Sequence, residues 1–209
     1  MAKNDIKNLL FDLGGVIMDI ERQLCVDAFK RIGVIDAEDM IGLYAQNGSF
    51  MALEDGSISA HQFREDIRSH INHPVSDEAI DDALDQFLIG IPNHRLASLR
   101  ALRDKHKIFM LSNTNPIMFE SKIRRCFNGE GKEMEDYFDG IVTSYKALCA
   151  KPDEAIFRYA IKHLGIKPEE TLFFDDSQKN LDAAALLGFK TALVAPGTEF
   201  TDAYNDFMK

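Results

Sequence analysis

Five short apolar runs, each stopping at polar or small residues, constrain the fold more than any other feature of this chain. Asn8-Leu-Leu-Phe11 leads to Asp12, and Lys107-Ile-Phe-Met-Leu111 leads to Ser112-Asn-Thr-Asn115. Gly140-Ile-Val142 leads to Thr143-Ser144, Thr171-Leu-Phe-Phe174 to Asp175-Asp176, and Thr191-Ala-Leu-Val-Ala195 to Pro196-Gly197. These runs do not alternate apolar with polar, which is the pattern of strands buried on both faces. Helical periodicity separates them. Pro152 reads as a first-turn proline. Ile156, Phe157, Ala160, Ile161 and Leu164 follow at helical spacing, and Gly165 ends the pattern. Leu181, Ala184, Ala185 and Leu187 repeat it and stop at Gly188. Such alternation predicts an α/β chain with a Rossmann-like, three-layer core: a parallel sheet with helices on both faces.

From about Asp19 to Gly90 the alternation breaks and no strand is apparent. Phe63, Ile67 and Ile71 lie four apart, as do Ile80, Leu84 and Leu88, and Ser76 suits the N-cap of the latter helix. The segment, residues 19–90, reads as a helical bundle inserted after the first strand into a sheet core made of residues 1–18 and 91–209. The acidic run Asp77–Asp85 reads as a solvated helix face.

Composition bears on partners. With 34 acidic and 24 basic side chains among 209 residues the net charge is −10, which argues against a nucleic-acid backbone as partner. An anionic substrate would need a locally positive or metal-bearing site. No run of 18 apolar residues is present, so no membrane span is expected. The N-terminal residues lack the apolar segment of a secretion signal. Cys25, Cys126 and Cys149 form no CxxC pair and fit idle thiols in a reducing cytoplasm.

Ligands of an open parallel sheet bind at the carboxyl ends of its strands. Asp12-Leu-Gly-Gly-Val16, Ser112-Asn-Thr-Asn115 and Asp175-Asp176-Ser177 stand there, and Lys151 stands before a helix. Three carboxylates in one small space are costly unless paired or metal-bound. Oxygen ligands from two strand ends suit Mg²⁺. With Lys151 it would supply the positive charge a phosphate needs.

These residues resemble the haloacid dehalogenase superfamily of hydrolases. Asp12-Leu-Gly-Gly-Val, Leu111-Ser-Asn-Thr, Lys151-Pro-Asp and Phe174-Asp-Asp-Ser match its four motifs in order. A helical cap after the first strand is also a family trait. The stretch Met51–Phe63 resembles the cap of a branch of sugar-phosphate phosphatases related to the N-terminal phosphatase domain of epoxide hydrolases. The resemblance implies Asp12 as nucleophile, forming an aspartyl-phosphate. It implies Ser112, with the Asn113 backbone beside it, on a phosphoryl oxygen, and Lys151 as the neutralising cation. Mg²⁺ would be held by Asp12, the Gly14 carbonyl and Asp176, with Asp175 through water or behind them. The implied partner is a small phosphorylated metabolite.

The chain departs from the pattern at Gly14, where the family's phosphatases usually carry an aspartate that protonates the leaving oxygen and later activates water. Some members of the branch also have glycine here. The departure disfavours a mutase. Water, or a cap side chain such as His61, could stand in as the acid, although all six histidines read as surface or cap residues, and a good leaving group, as in a sugar 1-phosphate, would ease the loss. Two alternatives remain open. A 2-haloacid dehalogenase also lacks the second aspartate but keeps no acidic pair in the fourth motif. A weakly active or non-catalytic binding protein would keep the fold without the acid. Asp19 reads as a hinge residue or as a group facing substrate, and Phe50 and Met51 as cap core or substrate lid. Asn115 and Asn180 read as loop or cap residues.

Overall fold

The computed structural model describes residues 5–42, 46–128 and 131–209. The first four residues of the N-terminal stretch read against a secretion signal lie outside these. Strand β1 (Asn8–Phe11) is followed by a short strand β2 (Asp19–Ile20) and helices α1 (Arg22–Arg31), α2 (Ala37–Met40), α3 (Gly48–Glu54), α4 (Ala60–Ser69) and α5 (Asp77–Asp85). Strand β3 (Leu88–Gly90) and helix α6 (Asn93–Arg103) lead back to β4 (Lys107–Ser112). Next come α7 (Pro116–Met118) and α8 (Arg124–Cys126), joined by a π-helical turn over Phe119–Ile123, then β5 (Gly140–Thr143), α9 (Ser144–Ala147) and α10 (Glu154–Leu164). The chain finishes with β6 (Thr171–Asp175), α11 (Gln178–Leu186), β7 (Lys190–Leu193) and α12 (Phe200–Met208).

The main sheet is parallel, in the order β5-β4-β1-β6-β7. Strand β1 is its centre and all four of its residues are buried. The period of two along the strands divides the core in two. Leu9, Phe11, Ile108, Met110, Leu172 and Phe174 share one cluster with Leu96 and Leu99 of α6 and Phe200 of α12. Leu10, Phe109, Leu111 and Phe173 share another with Ile156, Phe157 and Ala160 of α10 and Leu181 of α11. Helices therefore cover both faces, and the α/β class expected from the apolar runs is the one found.

Some boundaries differ from expectation. The segment 19–90 does contain strands: β2 and β3 pair antiparallel, Asp19 opposite Gly90 and Ile20 opposite Leu88. Two- and three-residue strands are too short to show a period. Leu88 belongs to this pair rather than to a helix with Ile80 and Leu84, and Ile71 lies beyond the end of α4. Pro152 precedes α10 instead of opening it, after a cis Lys151–Pro152 peptide. Asp153 is the N-cap, its carboxylate accepting from the Ala155 amide at 2.9 Å. Ser76 caps α5 as expected. The acidic face of α5 is paired as well as solvated: Arg64 holds Asp81 with two bonds of 2.8 and 2.7 Å, and Ser121 donates to Asp85.

Arg95 of α6 ties the β2–β3 pair to the loop after β1 and to the start of α12. Its buried guanidinium donates to Asp19 (2.7 Å), to the Ile17 carbonyl (3.3 Å) and twice to Glu199 before α12 (2.8 and 3.1 Å). Of the two readings of Asp19, the structure supports the hinge. Inside the insert, Phe50 stacks edge-on to Phe29 and to Phe63, with centroids 5.1 and 5.0 Å apart. These rings join the same apolar cluster as Phe11 and Phe174. Insert and sheet thus share one core, and Phe63→Ala should cost about 3–5 kcal/mol. Urea denaturation followed by circular dichroism should show a single transition moved to lower urea, not a separate early loss of the insert.

Candidate active site

Parallel register brings the ends of β1, β4 and β6 level. Phe11 faces Met110 on one side and Phe174 on the other. The residues one step further, Asp12 and Asp175, therefore emerge side by side, and the Asp12 amide still donates to the Phe174 carbonyl at 2.9 Å. Lys151 arrives from the loop after α9. Its ammonium lies 2.7 Å from Asp12 Oδ1 and 2.7 Å from Asp175 Oδ2, and its side chain is almost wholly buried. The face of Phe173 lies 5.5 Å beneath it. The Asn113 side chain clamps the Lys151 backbone, accepting from its amide and donating to its carbonyl, both at 2.9 Å. Asp175 is held on its other oxygen by the Ser177 amide (2.8 Å) and Asn180 Nδ2 (2.9 Å).

Asp12, Asp175 and Asp176 each direct a carboxylate oxygen to one point, with the three atoms within 4.8 Å of one another, a set that could hold a metal ion. Gly15 makes this possible. Its φ is +74°, and a Cβ there would overlap the Asp176 carboxylate. Gly14 is different: a Cβ would make ordinary contact with Ile20 at 3.5 Å, so neither space nor backbone forbids a side chain there.

One lysine among so many carboxylates leaves an excess of negative charge. Burial raises the Asp12 pKa, Lys151 opposes the rise, and the charges of Asp175 and Asp176 add to it, giving about 7. Burial and then Asp175 push Asp176 up to about 6 against the pull of Lys151. Burial works against the Lys151 charge, but Asp12 and Asp175 outweigh it and its pKa is raised.

Two adjoining cavities open above these groups. A polar one of about 80 Å³ is walled by Asp12, Gly14, Asn113, Lys151, Asp176 and Asn180 from the sheet side and by Gln46, Glu54 and Phe87 from the insert. An apolar one of about 60 Å³ continues from it toward Phe50, Leu53, Leu84 and Met118. Gly14, Ile20, Gln46, Glu54, Phe87 and Asn113 line both.

The expected residues therefore meet in one place, with differences of detail. Ser112 is buried at the wall of the apolar cavity and its hydroxyl donates to the Asn113 carbonyl at 3.3 Å. Asn113 spends its side chain on Lys151. Asn180, read as a loop or cap residue, holds Asp175 and lines the polar cavity. Asn115 caps α7, accepting from the Met118 amide at 3.0 Å. Phe50 is core and cavity wall together, whereas Met51 is exposed. His61 is exposed on α4 and lines neither cavity.

Sequence reading passed over Glu54. It lies within the stretch that carries the cap resemblance, next to buried Leu53 at the end of α3. Burial, then the charges of Asp12 and Asp55, push its pKa up to about 8. An acidic residue beside a core leucine was the available signal, but the fold had to show that it faces Asp12.

Comparison with known proteins agrees with this arrangement. The chain is 37% identical over 186 residues to a D-ribitol-5-phosphate phosphatase of Bacteroides thetaiotaomicron, spanning 89% of this chain and 90% of the relative. A haloacid dehalogenase family enzyme from the same organism, crystallised with magnesium and inorganic phosphate, superposes with a TM-score of 0.89. It covers 95% of this chain and 99% of its own, at 37% identity. A hydrolase of the same type from Porphyromonas gingivalis gives a TM-score of 0.89 at 34% identity over 98% of both chains. The family model for haloacid dehalogenase-like hydrolases matches residues 6–188. By fold, motif order and sequence, the chain belongs to the haloacid dehalogenase-like hydrolases.

Proposed function

We propose that the chain is a Mg²⁺-dependent phosphatase of small sugar or polyol phosphates that works through an aspartyl-phosphate on Asp12. The observation that carries this reading is Lys151 seated 2.7 Å from both Asp12 and Asp175, where a third carboxylate, Asp176, converges. Similarity to a phosphatase over most of both chains supports the substrate class. No helix among the described residues is long and apolar enough to cross a membrane. Residues 19–90 would act as the cap, turning on the β2–β3 pair.

In this reading Asp12 attacks phosphorus and Lys151 offsets the charge that nucleophile and phosphoryl group share. Asn113 and Asp175 hold Lys151 in place from its backbone and its ammonium. Asn180 and the Ser177 amide keep Asp175 from turning away. Ser112, with the Asn113 backbone, would receive a phosphoryl oxygen at the boundary of the two cavities. Carboxylate and carbonyl oxygens with excess negative charge fit a hard divalent cation. Asp12, Asp176 and the Gly14 carbonyl would hold Mg²⁺, which when bound neutralises phosphoryl charge and fixes its orientation. A dehalogenase has no use for Asp176 in this cluster. A binding protein has no use for a lysine buried against the nucleophile.

Two outcomes are expected. Phosphate release from a panel of small phosphate esters should require both Mg²⁺ and Asp12, with Asp12→Asn lowering kcat at least about 10³-fold. Halide release from 2-halo acids in place of phosphate release would overturn the reading. The second outcome concerns pH. With folded pKa values of about 7 and 6, Asp12 and Asp176 keep protons that the unfolded chain releases near pH 4. Between those limits the metal-free folded state binds more protons than the unfolded one, so their contribution to stability falls as pH rises. Mg²⁺ needs the ionised forms. Melting curves with Mg²⁺ at about 100 times Kd should show a gain of about 5–10 °C at pH 8, shrinking toward zero at pH 5.

A further inference from the structure

The missing carboxylate at Gly14 leaves the proposed reaction without a proton donor. Among the described residues, the ionisable groups lining the two cavities are Asp12, Lys151, Asp176, Glu54 and Cys25, whose thiol burial pushes up to about 12, too weak an acid for the role. The first three are already engaged as nucleophile, cation and metal ligand. Glu54 is held by no ion pair and no hydrogen bond to a described residue. It stands where the polar cavity opens into the apolar one. It comes from the insert, while Asp12 comes from the sheet, so the polar cavity lies between them. Displacement at phosphorus is in line: an oxygen leaving opposite Asp12 departs toward the insert and its carboxyl.

The fold seats this end of α3 firmly. Gly56, two residues on, has φ +77°, and a Cβ there would strike the Tyr145 carbonyl of α9. The turn after Glu54 therefore rests directly on the sheet domain. We infer that Glu54 is the catalytic acid and base that substitutes for the absent aspartate at position 14, an inference that rests on the phosphatase reading above. As Asp12 forms its bond to phosphorus, the bond to the leaving oxygen breaks and that oxygen takes the Glu54 proton, leaving as an alcohol. The Glu54 carboxylate then takes a proton from the water that attacks the aspartyl-phosphate on the same side. The phosphorus–Asp12 bond breaks, inorganic phosphate leaves, and Glu54 is protonated again. The surroundings favour the protonated starting state: burial and the facing Asp12 and neighbouring Asp55 hold Glu54 neutral, with Asp176 and Lys151 across the same cavity.

This removes the need for an activated leaving group. An enzyme that relied on water for protonation would favour activated esters such as anomeric phosphates, whereas one with Glu54 gains general acid help on the phosphate of an ordinary primary alcohol. The predicted substrate class is therefore alkyl phosphates of small polyols and sugars, and sugar 1-phosphates hold no special place in it.

The test compares wild type, Glu54→Gln and Asp12→Asn in Mg²⁺ on two esters: the best alkyl phosphate of the panel and p-nitrophenyl phosphate, whose phenolate leaves without a proton. kcat/KM reports the steps through release of the alcohol. Glu54→Gln should lower it by about 10²–10⁴-fold on the alkyl ester and by less than about tenfold on the aryl ester. A rapid first equivalent of nitrophenolate should precede a slow steady state, because the phosphoenzyme has lost its base. Equal losses on both esters, or no loss on the alkyl ester, would overturn the assignment while leaving the phosphatase reading intact. Wild type that releases no phosphate from either ester, or Asp12→Asn that releases it as fast as wild type, overturns that reading itself. Glu54→Ala is read in the same way should the glutamine variant not fold.

Discussion

A lysine ammonium sealed between two carboxylates organises this molecule. Alone, each of those charges would be expensive to bury. Together Lys151, Asp12 and Asp175 balance part of that cost, and hydrogen bonds from Ser177 and Asn180 and the Asn113 clamp offset more of it. The network draws on the ends of β1, β4 and β6 and on the loop after α9. It can form only if those strands are parallel and in register, and it fixes where chemistry is done.

The network also leaves the site short of positive charge. Asp176, held close by the bare backbone at Gly15, adds a carboxylate that forms no ion pair with a described residue and feels Lys151 only at a distance. Burial first, and then the neighbouring carboxylates, raise the pKa values of Asp12 and Asp176, and a divalent cation is the group that relieves both costs. The insert completes the enclosure from the other side. Its Phe50 and Leu53 belong to a core shared with the sheet, so the element that supplies Glu54 is anchored by apolar packing. Arg95 meanwhile locks the hinge to both the sheet loop and α12.

Much of this was legible beforehand. The non-alternating apolar runs ending in Asp12, Ser112 and Asp175 follow from strands buried on both faces, and the break between Asp19 and Gly90 follows from the loss of that pattern. What escaped were features too short or too distant to leave a period. The hinge strands β2 and β3 hold two and three residues. Asn180 looks like any helix-start asparagine until Asp175 is seen beside it. His61 and Glu54 lie seven residues apart in the same stretch, and nothing local separates their roles; on α4 His61 is exposed, as read, while Glu54 lines the cavity.

Sequence alone determined the layer architecture and placed Asp12, Ser112 and the Asp175–Asp176 pair at strand ends, because hydrophobic burial writes the strands locally and the strand ends carry the polar residues. Tertiary structure decided which of those residues touch, how Lys151 comes to bridge Asp12 and Asp175, and which carboxyl of the insert faces Asp12 across the cavity. Those outcomes depend on contacts between residues tens of positions apart. Their energies come from desolvation and Coulomb interaction across a closed cavity, and no local pattern in the chain encodes either.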